Sequence, residues 1–182
     1  MKDKYNSKVR RLPQRRLKDE DIVDEAIDIG ALDARIILTE TIVTANWVRL
    51  KCQYGCKRYG TLLTCPPYSP PLEEVWEILD EYNEVLMIRS DQSWRIRYMV
   101  SELERRFLLK GYHKSFGMGS GPCTLCESCD IENGCHYPDK ARPSMEACGI
   151  DVYRTVKNNG WEISTLKHKE DKPDFIGLVL LK

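Results

Sequence analysis

Apolar positions recur along the chain at two spacings, one helical and one extended. Over residues 19–31, Ile22, Val23, Ala26 and Ile27, with Leu32 just beyond, share one side of a 3.6-residue turn. Acids crowd the first turn and Gly30 stands near the end, so the pattern predicts a helix. The strongest stripe lies in residues 95–111, where Ile96, Met99, Val100, Leu103 and Phe107 form a core face. Arg95, Arg97, Arg105, Arg106 and Lys110 occupy its other faces and read as solvated. Shorter helices are predicted at 73–82, behind a proline pair and two acids, at 141–148, and at 150–158, closed by Asn158, Asn159 and Gly160.

Extended segments are marked by β-branched residues and by continuous apolar runs. Residues 34–51 hold Ile36, Ile37, Ile42, Val43 and Val48, broken at Thr44, Ala45 and Asn46, and read as two strands. Val85, Leu86, Met87 and Ile88 make 84–91 a buried strand, and further strands are predicted at 114–118, 161–166 and 175–181. Strands alternating with helices from residue 84 onward predict an α/β (or α+β) fold. Its expected form is a mixed sheet with flanking helices and two cysteine-rich loops, 51–71 and 117–140, at one edge. With 182 residues, the chain suits a single domain over 19–182 preceded by an arm at 1–18.

Charge changes the picture at one end only. Charged residues make up 31% with a net charge of zero, which gives no global field for nucleic acid or membrane. Residues 1–18, however, set eight cations (Lys2, Lys4, Lys8, Arg10, Arg11, Arg15, Arg16, Lys18) against the single acid Asp3, a net of seven. This basic arm reads as a solvated tail or as a docking segment for an acidic partner; with only Tyr5 to stack, RNA is disfavoured. No apolar run approaches the roughly 20 residues that span a bilayer, and the start of the chain lacks a signal-peptide core, so a cytoplasmic protein is expected.

Candidate chemistry rests on cysteine. Cys123, Cys126, Cys129 and Cys135 fall within thirteen residues, behind the glycine-rich run Gly117-Met-Gly-Ser-Gly-Pro122. Thiols two residues apart aim at one centre yet are too close for unstrained mutual disulfides, so the pattern points to a metal. Zinc sites separate two short knuckles by a dozen or more residues, whereas repeated two-residue gaps wrap a cluster, which favours [4Fe–4S] over zinc. Cys52, Cys56 and Cys65 form a second candidate set in a loop punctuated by Gly55, Gly60 and prolines, expected to be non-helical.

Because a cysteine–proline pair such as Cys65-Pro66 can ligate the other cluster of a two-cluster protein, two groupings are open: by loop, or with Cys65 and Cys135 exchanged between sites. Buried or disulfide-paired cysteines are the plain alternative for both sets. Cys148, alone on a short apolar segment, reads as a packed thiol, and His136 as an exposed loop residue beside Cys135. No nucleophile elbow, phosphate loop, HExxH pair or carboxylate dyad is present, so no catalytic residue is assigned.

The string Lys51-Cys-Gln-Tyr-Gly-Cys56, with Tyr59-Gly60 and Thr64-Cys-Pro-Pro-Tyr-Ser-Pro70, precedes Gly121-Pro-Cys123, the cysteines at 126 and 129, Ala141-Arg-Pro-Ser-Met-Glu-Ala147 and Gly149-Ile-Asp-Val152. Over residues 20–182 the chain thereby resembles a family of cysteine-rich proteins described as predicted metal-binding, with a domain of unknown function. The resemblance implies a metal or iron–sulfur protein of the kind frequent in anaerobic bacteria and archaea, including methanogens. It implies no established reaction, and it weakens Cys148 as a ligand.

Three functions follow as expectations. The first is an iron–sulfur protein with one or two [4Fe–4S] clusters, passing electrons to or within a larger redox or metalloenzyme-activation complex. The second is a zinc-stabilised adaptor. The third is a small enzyme or cluster carrier using an open iron at Cys52, Cys56 and Cys65.

Overall fold

The computed structural model describes residues 17–182 except Ser164 and Lys169. All but the last two residues of the expected basic arm lie outside the described residues. Four strands, β1 (Asp33–Leu38), β2 (Glu84–Ser90), β3 (Phe116–Met118) and β4 (Phe175–Leu180), form one sheet in the order β1-β2-β4-β3. All three pairings are antiparallel, which puts the expected helix-and-sheet class on its α+β side.

The two central strands read as unbroken apolar runs because both of their faces are covered. Leu86 and Ile88 of β2 with Val179 of β4 face one core, shared with Ile22 and Ala26 of α1 (Asp19–Asp28) and with α4 (Ser93–Leu109). Val85, Met87, Ile176, Leu178 and Leu180 face the other, against Val75 and Leu79 of α3 (Leu72–Asp80) and Val156 of α5 (Val152–Asn158). The predicted α4 stripe is the buried one: Ile96, Met99, Val100, Leu103 and Phe107 are all at most 1% exposed.

Helix α4 crosses the sheet where two glycines let it come close. A Cβ on Gly117 would stand 2.9 Å from the Val100 carbonyl oxygen, and one on Gly177 would stand 2.6 Å from Ile96 Cγ2 and 2.9 Å from Val100 Cγ1. Gly177→Ala is therefore expected to cost about 1–3 kcal/mol of overpacking. Urea unfolding reads it, and a change under about 0.5 kcal/mol, the size of a neutral surface substitution, would show that the helix has room.

On the outer face of α4, Arg105 and Arg106 both donate to Glu102, at 2.9–3.1 Å. These hydrogen bonds hold its carboxyl down to about 2. A carboxylate whose pKa is depressed on folding stabilises the fold above its ordinary value of about 4.3, and that contribution is lost as pH falls toward the folded value. Glu102→Gln should remove this part of the acid limb in unfolding measurements on the reduced, metal-free chain. An unchanged limb would assign it to other groups.

Two strand expectations are corrected. Residues 46–55, read in part as a strand through Val48, form helix α2 (Asn46–Gly55), which also puts Cys52 on a helix rather than on a non-helical loop. Val48 is the only β-branched residue in that segment, and Arg49, Leu50, Lys51 and Gln53 are straight-chain or γ-branched helix formers. Residues 161–163 and 165–166 join no strand. Trp161 instead closes α5, its N–H donating to the Val156 carbonyl, while Arg35 of β1 stacks over its ring at 4.6 Å. Of the helix expected at 141–148 only a 3₁₀ turn forms, Glu146–Cys148. Pro143 holds the preceding residue away from helix, and Ser144 makes a parallel bridge with Gly119.

Candidate metal centre

The first cysteine loop is hung from α2. Arg49 on that helix donates to Ser69 Oγ at 3.0 Å, to the Pro70 carbonyl at 3.2 Å and to the Ala147 carbonyl at 2.5 Å, and Ser69 Oγ donates to the same Ala147 oxygen at 2.8 Å. This ties both ends of segment 56–69 to the 3₁₀ turn. Inside it, Gly60 N–H donates to the Pro66 carbonyl at 2.8 Å, and the Cys65 carbonyl receives the N–H groups of Tyr68 and Ser69, so the chain doubles back around Cys65. Cys52 lies one helical turn beyond Val48, with its Sγ 3.9 Å from the Glu146 carbonyl.

The second loop leaves edge strand β3 and is closed at its base. Gly119 N–H donates to the Pro143 carbonyl at 2.8 Å, and Met145 N–H to the Gly119 carbonyl at 3.0 Å. Glu104 of α4 grips both ends: it accepts Gly117 N–H at 2.8 Å and takes the Arg142 guanidinium in a two-pronged bond at 2.6 and 2.5 Å. Arg97, one turn from Ser101 and two from Glu104, donates to the Ser120 carbonyl at 3.2 Å and to Thr124 Oγ1 at 3.1 Å beside Cys123. Between Cys129 and Cys135, Asp130 accepts Asn133 N–H at 2.9 Å, which with other bonds from Asn133 and His136 lowers its pKa. Gly134, at φ 99°, completes that reversal.

The two loops meet. Leu63 N–H in the first points at Cys129 Sγ in the second, at 3.5 Å. Burial pushes the Cys65 thiol up to about 11, helped by Cys56, Cys52 and Cys123, while the Thr64 hydroxyl works the other way. Burial, then Cys56 and Glu146, also raises Cys52, with Arg49 opposing. Cys126 is raised by partial burial and then by Cys123, Cys129 and Cys135. Cys126 is thus influenced by thiols of its own loop, and Cys65 by thiols of both, through Cys56 and Cys52 and through Cys123.

All eight cysteines are free. Cys56 and Cys135 are exposed, Cys52, Cys65, Cys123, Cys126 and Cys129 half-buried, and Cys148 alone is buried, its pKa raised by burial to about 12. Cys148 is therefore the packed thiol its sequence context suggested. His136 is exposed, with Nε2 3.5 Å from Asp130 Oδ2. Among the described residues, no group of three or more Cys, His, Asp or Glu side chains stands in metal-ligating geometry. The chemistry of the donor set nevertheless fits a thiophilic metal: two anchored loops carry seven free thiols that are not packed into the core, and burial followed by neighbouring cysteines disfavours ionisation of Cys52, Cys65 and Cys126, which a bound cation would offset.

The residues that hold the second loop were not singled out by their sequence. Arg97 read as a solvated charge and Glu104 and Arg142 were given no role, yet the Glu104 and Arg142 side chains are 15% and 12% exposed. The available signal was position, since Arg97 and Glu104 border the apolar stripe of α4 next to Ile96 and Leu103.

A family model described as predicted metal-binding protein (DUF2284) matches residues 35–181. The chain belongs to that family. DUF2284 is a predicted metal-binding family, and the match takes in both cysteine loops while leaving out the N-terminal arm and α1. No curated protein and no solved structure matches the chain. No described helix is long and apolar enough to cross a membrane.

Proposed function

We propose that this DUF2284 chain is an iron–sulfur protein holding one or two [4Fe–4S] clusters, acting in electron transfer to or within a larger redox or metalloenzyme-activation complex. The observation that carries the reading is that seven free thiols stay partly or fully exposed on two segments that touch at Leu63 and Cys129, in a fold whose remaining cysteine is buried. Free cysteine is ordinarily among the most buried of side chains, so loops that hold seven near the surface require a reason other than packing.

Cys123, Cys126, Cys129 and Cys135 would hold the first cluster and Cys52, Cys56 and Cys65 the second. The division follows the order of the cysteines along the chain, and an exchange of Cys65 and Cys135 is the alternative, since Cys65 is influenced by Cys123 as well as by Cys56 and Cys52. A cluster bound there supplies one-electron chemistry. The chain's own part is to orient the thiols, exclude water on the core side, and donate N–H groups to sulfur. Leu63 reaches Cys129 at 3.5 Å and Tyr137 reaches Cys135 at 3.4 Å, contacts of the kind that raise a cluster's potential. The exposure of Cys56 and Cys135 leaves both groups open to a partner's surface. The basic arm at 1–18, with its net of seven positive charges, is the proposed docking segment for an acidic partner.

Anaerobic purification followed by dithionite reduction tests this. The expected result is iron with acid-labile sulfide and an EPR signal that appears on reduction. Zinc without sulfide would replace the proposal with a zinc-stabilised adaptor.

A further inference from the structure

Where the two cysteine loops meet above α3, the structure leaves a cavity of about 520 Å³, within the size range of small-molecule sites. Its walls come from both loops, with Leu63 from the first and Cys135 from the second, while Ile78 of α3 and Phe116 of β3 supply apolar surface. Three prolines, Pro70, Pro138 and Pro143, add to the apolar surface, and Thr64, Ser69 and Ser115 add hydroxyls. Its charge is one-sided: Lys114 and His113 line the cavity, and no Asp or Glu does, in a chain that carries as many acids as bases.

The polar groups around Lys114 are arranged to present its ammonium. Tyr82 donates its hydroxyl to the Lys114 carbonyl at 2.6 Å, and Lys114 Nζ lies 4.9 Å from the centre of the Tyr82 ring while donating to the Glu81 backbone carbonyl. An ammonium has three donors, and this environment engages one of them with a neutral acceptor. Among the described residues no carboxylate forms a salt bridge with Lys114. Glu81 and Glu104 act on Tyr82 from behind this wall, but neither lines the cavity, and a cavity of largely apolar surface whose only charged lining groups are basic suits a molecule with an apolar body and an anionic head.

We infer that this cavity is a binding site for a small organic carboxylate, its head on Lys114 and its apolar body between the two loops. Since Cys135 forms part of the wall, the bound molecule lies against one of the cysteine sets. The inference concerns Lys114 and the apolar walls, and it holds whichever metal the cysteines take.

Calorimetric titration of the anaerobically purified full chain with octanoate and, separately, octylamine tests the site, with iron and sulfide measured on the same sample. Octanoate should bind saturably, and octylamine at least about tenfold more weakly, since the same body then carries a repelled head. Lys114→Gln should lower octanoate affinity about tenfold or more, whereas Lys114→Arg should keep it within about threefold. Lys114 is not a core residue, so both variants should fold. Absence of saturable octanoate binding, equal binding of octylamine, or an unchanged affinity in Lys114→Gln would overturn the site. Any of these in a sample that contains iron and sulfide would leave the metal assignment standing.

Discussion

Cys126→Ala is expected to strip the second loop of its metal and to leave the first loop's metal in place. Cys126 sits among Cys123, Cys129 and Cys135, each of which acts on its thiol, and a set of four sulfurs spaced around one centre loses with it a ligand that no other cysteine of that loop replaces. Loss of about four irons per chain, one cluster's worth, is the predicted change. Cys56→Ala is the mirror experiment: it should remove only iron held by the first loop and leave the second loop's reduced EPR signal intact. Cys65→Ala should behave like Cys56→Ala if the ligands are grouped by loop. Were Cys65→Ala to abolish both signals, the exchange of Cys65 and Cys135 between sites would be the correct grouping.

Glu104→Ala should be the most damaging substitution outside the cysteines. The carboxylate balances Arg142, accepts Gly117 N–H and so ties both ends of the second loop to α4. Removing it leaves a guanidinium that is 12% exposed without its counter-charge and a backbone donor without its acceptor. Breaking a largely buried pair from one side costs about 3–5 kcal/mol. Urea unfolding of the metal-free chain would read the loss, and the loaded variant should release iron to a chelator faster than the parent. Glu104→Gln keeps an acceptor for Gly117 and should recover part of the stability. A cost under about 1 kcal/mol for Glu104→Ala, the level of an exposed ion pair, would mean that the loop is held by its backbone closure at Gly119, Pro143 and Met145 alone.

How much of this was legible in the sequence depended on how local the cause was. The α4 stripe and the runs of β2 and β4 were readable because burial repeats at the period of the element, and burial on both faces gives an unbroken apolar run. That Cys148 is a packed thiol was readable from its apolar neighbours, whereas the grouping of the other seven rests on spacing, since a two-residue interval restricts where sulfurs can point. Val48 misled because its β-branch argued for a strand while the residues after it favour helix. Trp161 misled because its partners, Val156 and Arg35, are a helix end and a strand far away in the chain. The meeting of Leu63 with Cys129 and the hold of Glu104 on Arg142 join residues 66 and 38 positions apart. Neither pair has a local signature, and only the folded sheet brings them together.

The central claim is that the seven loop cysteines hold inorganic iron and sulfide. Native mass spectrometry of the full chain, purified without oxygen, tests it most directly. The account predicts a mass above that of the polypeptide by one or two four-iron, four-sulfide units, lost when Cys126 and Cys56 are both replaced by Ala. A bare polypeptide mass, or increments of zinc alone, would contradict it.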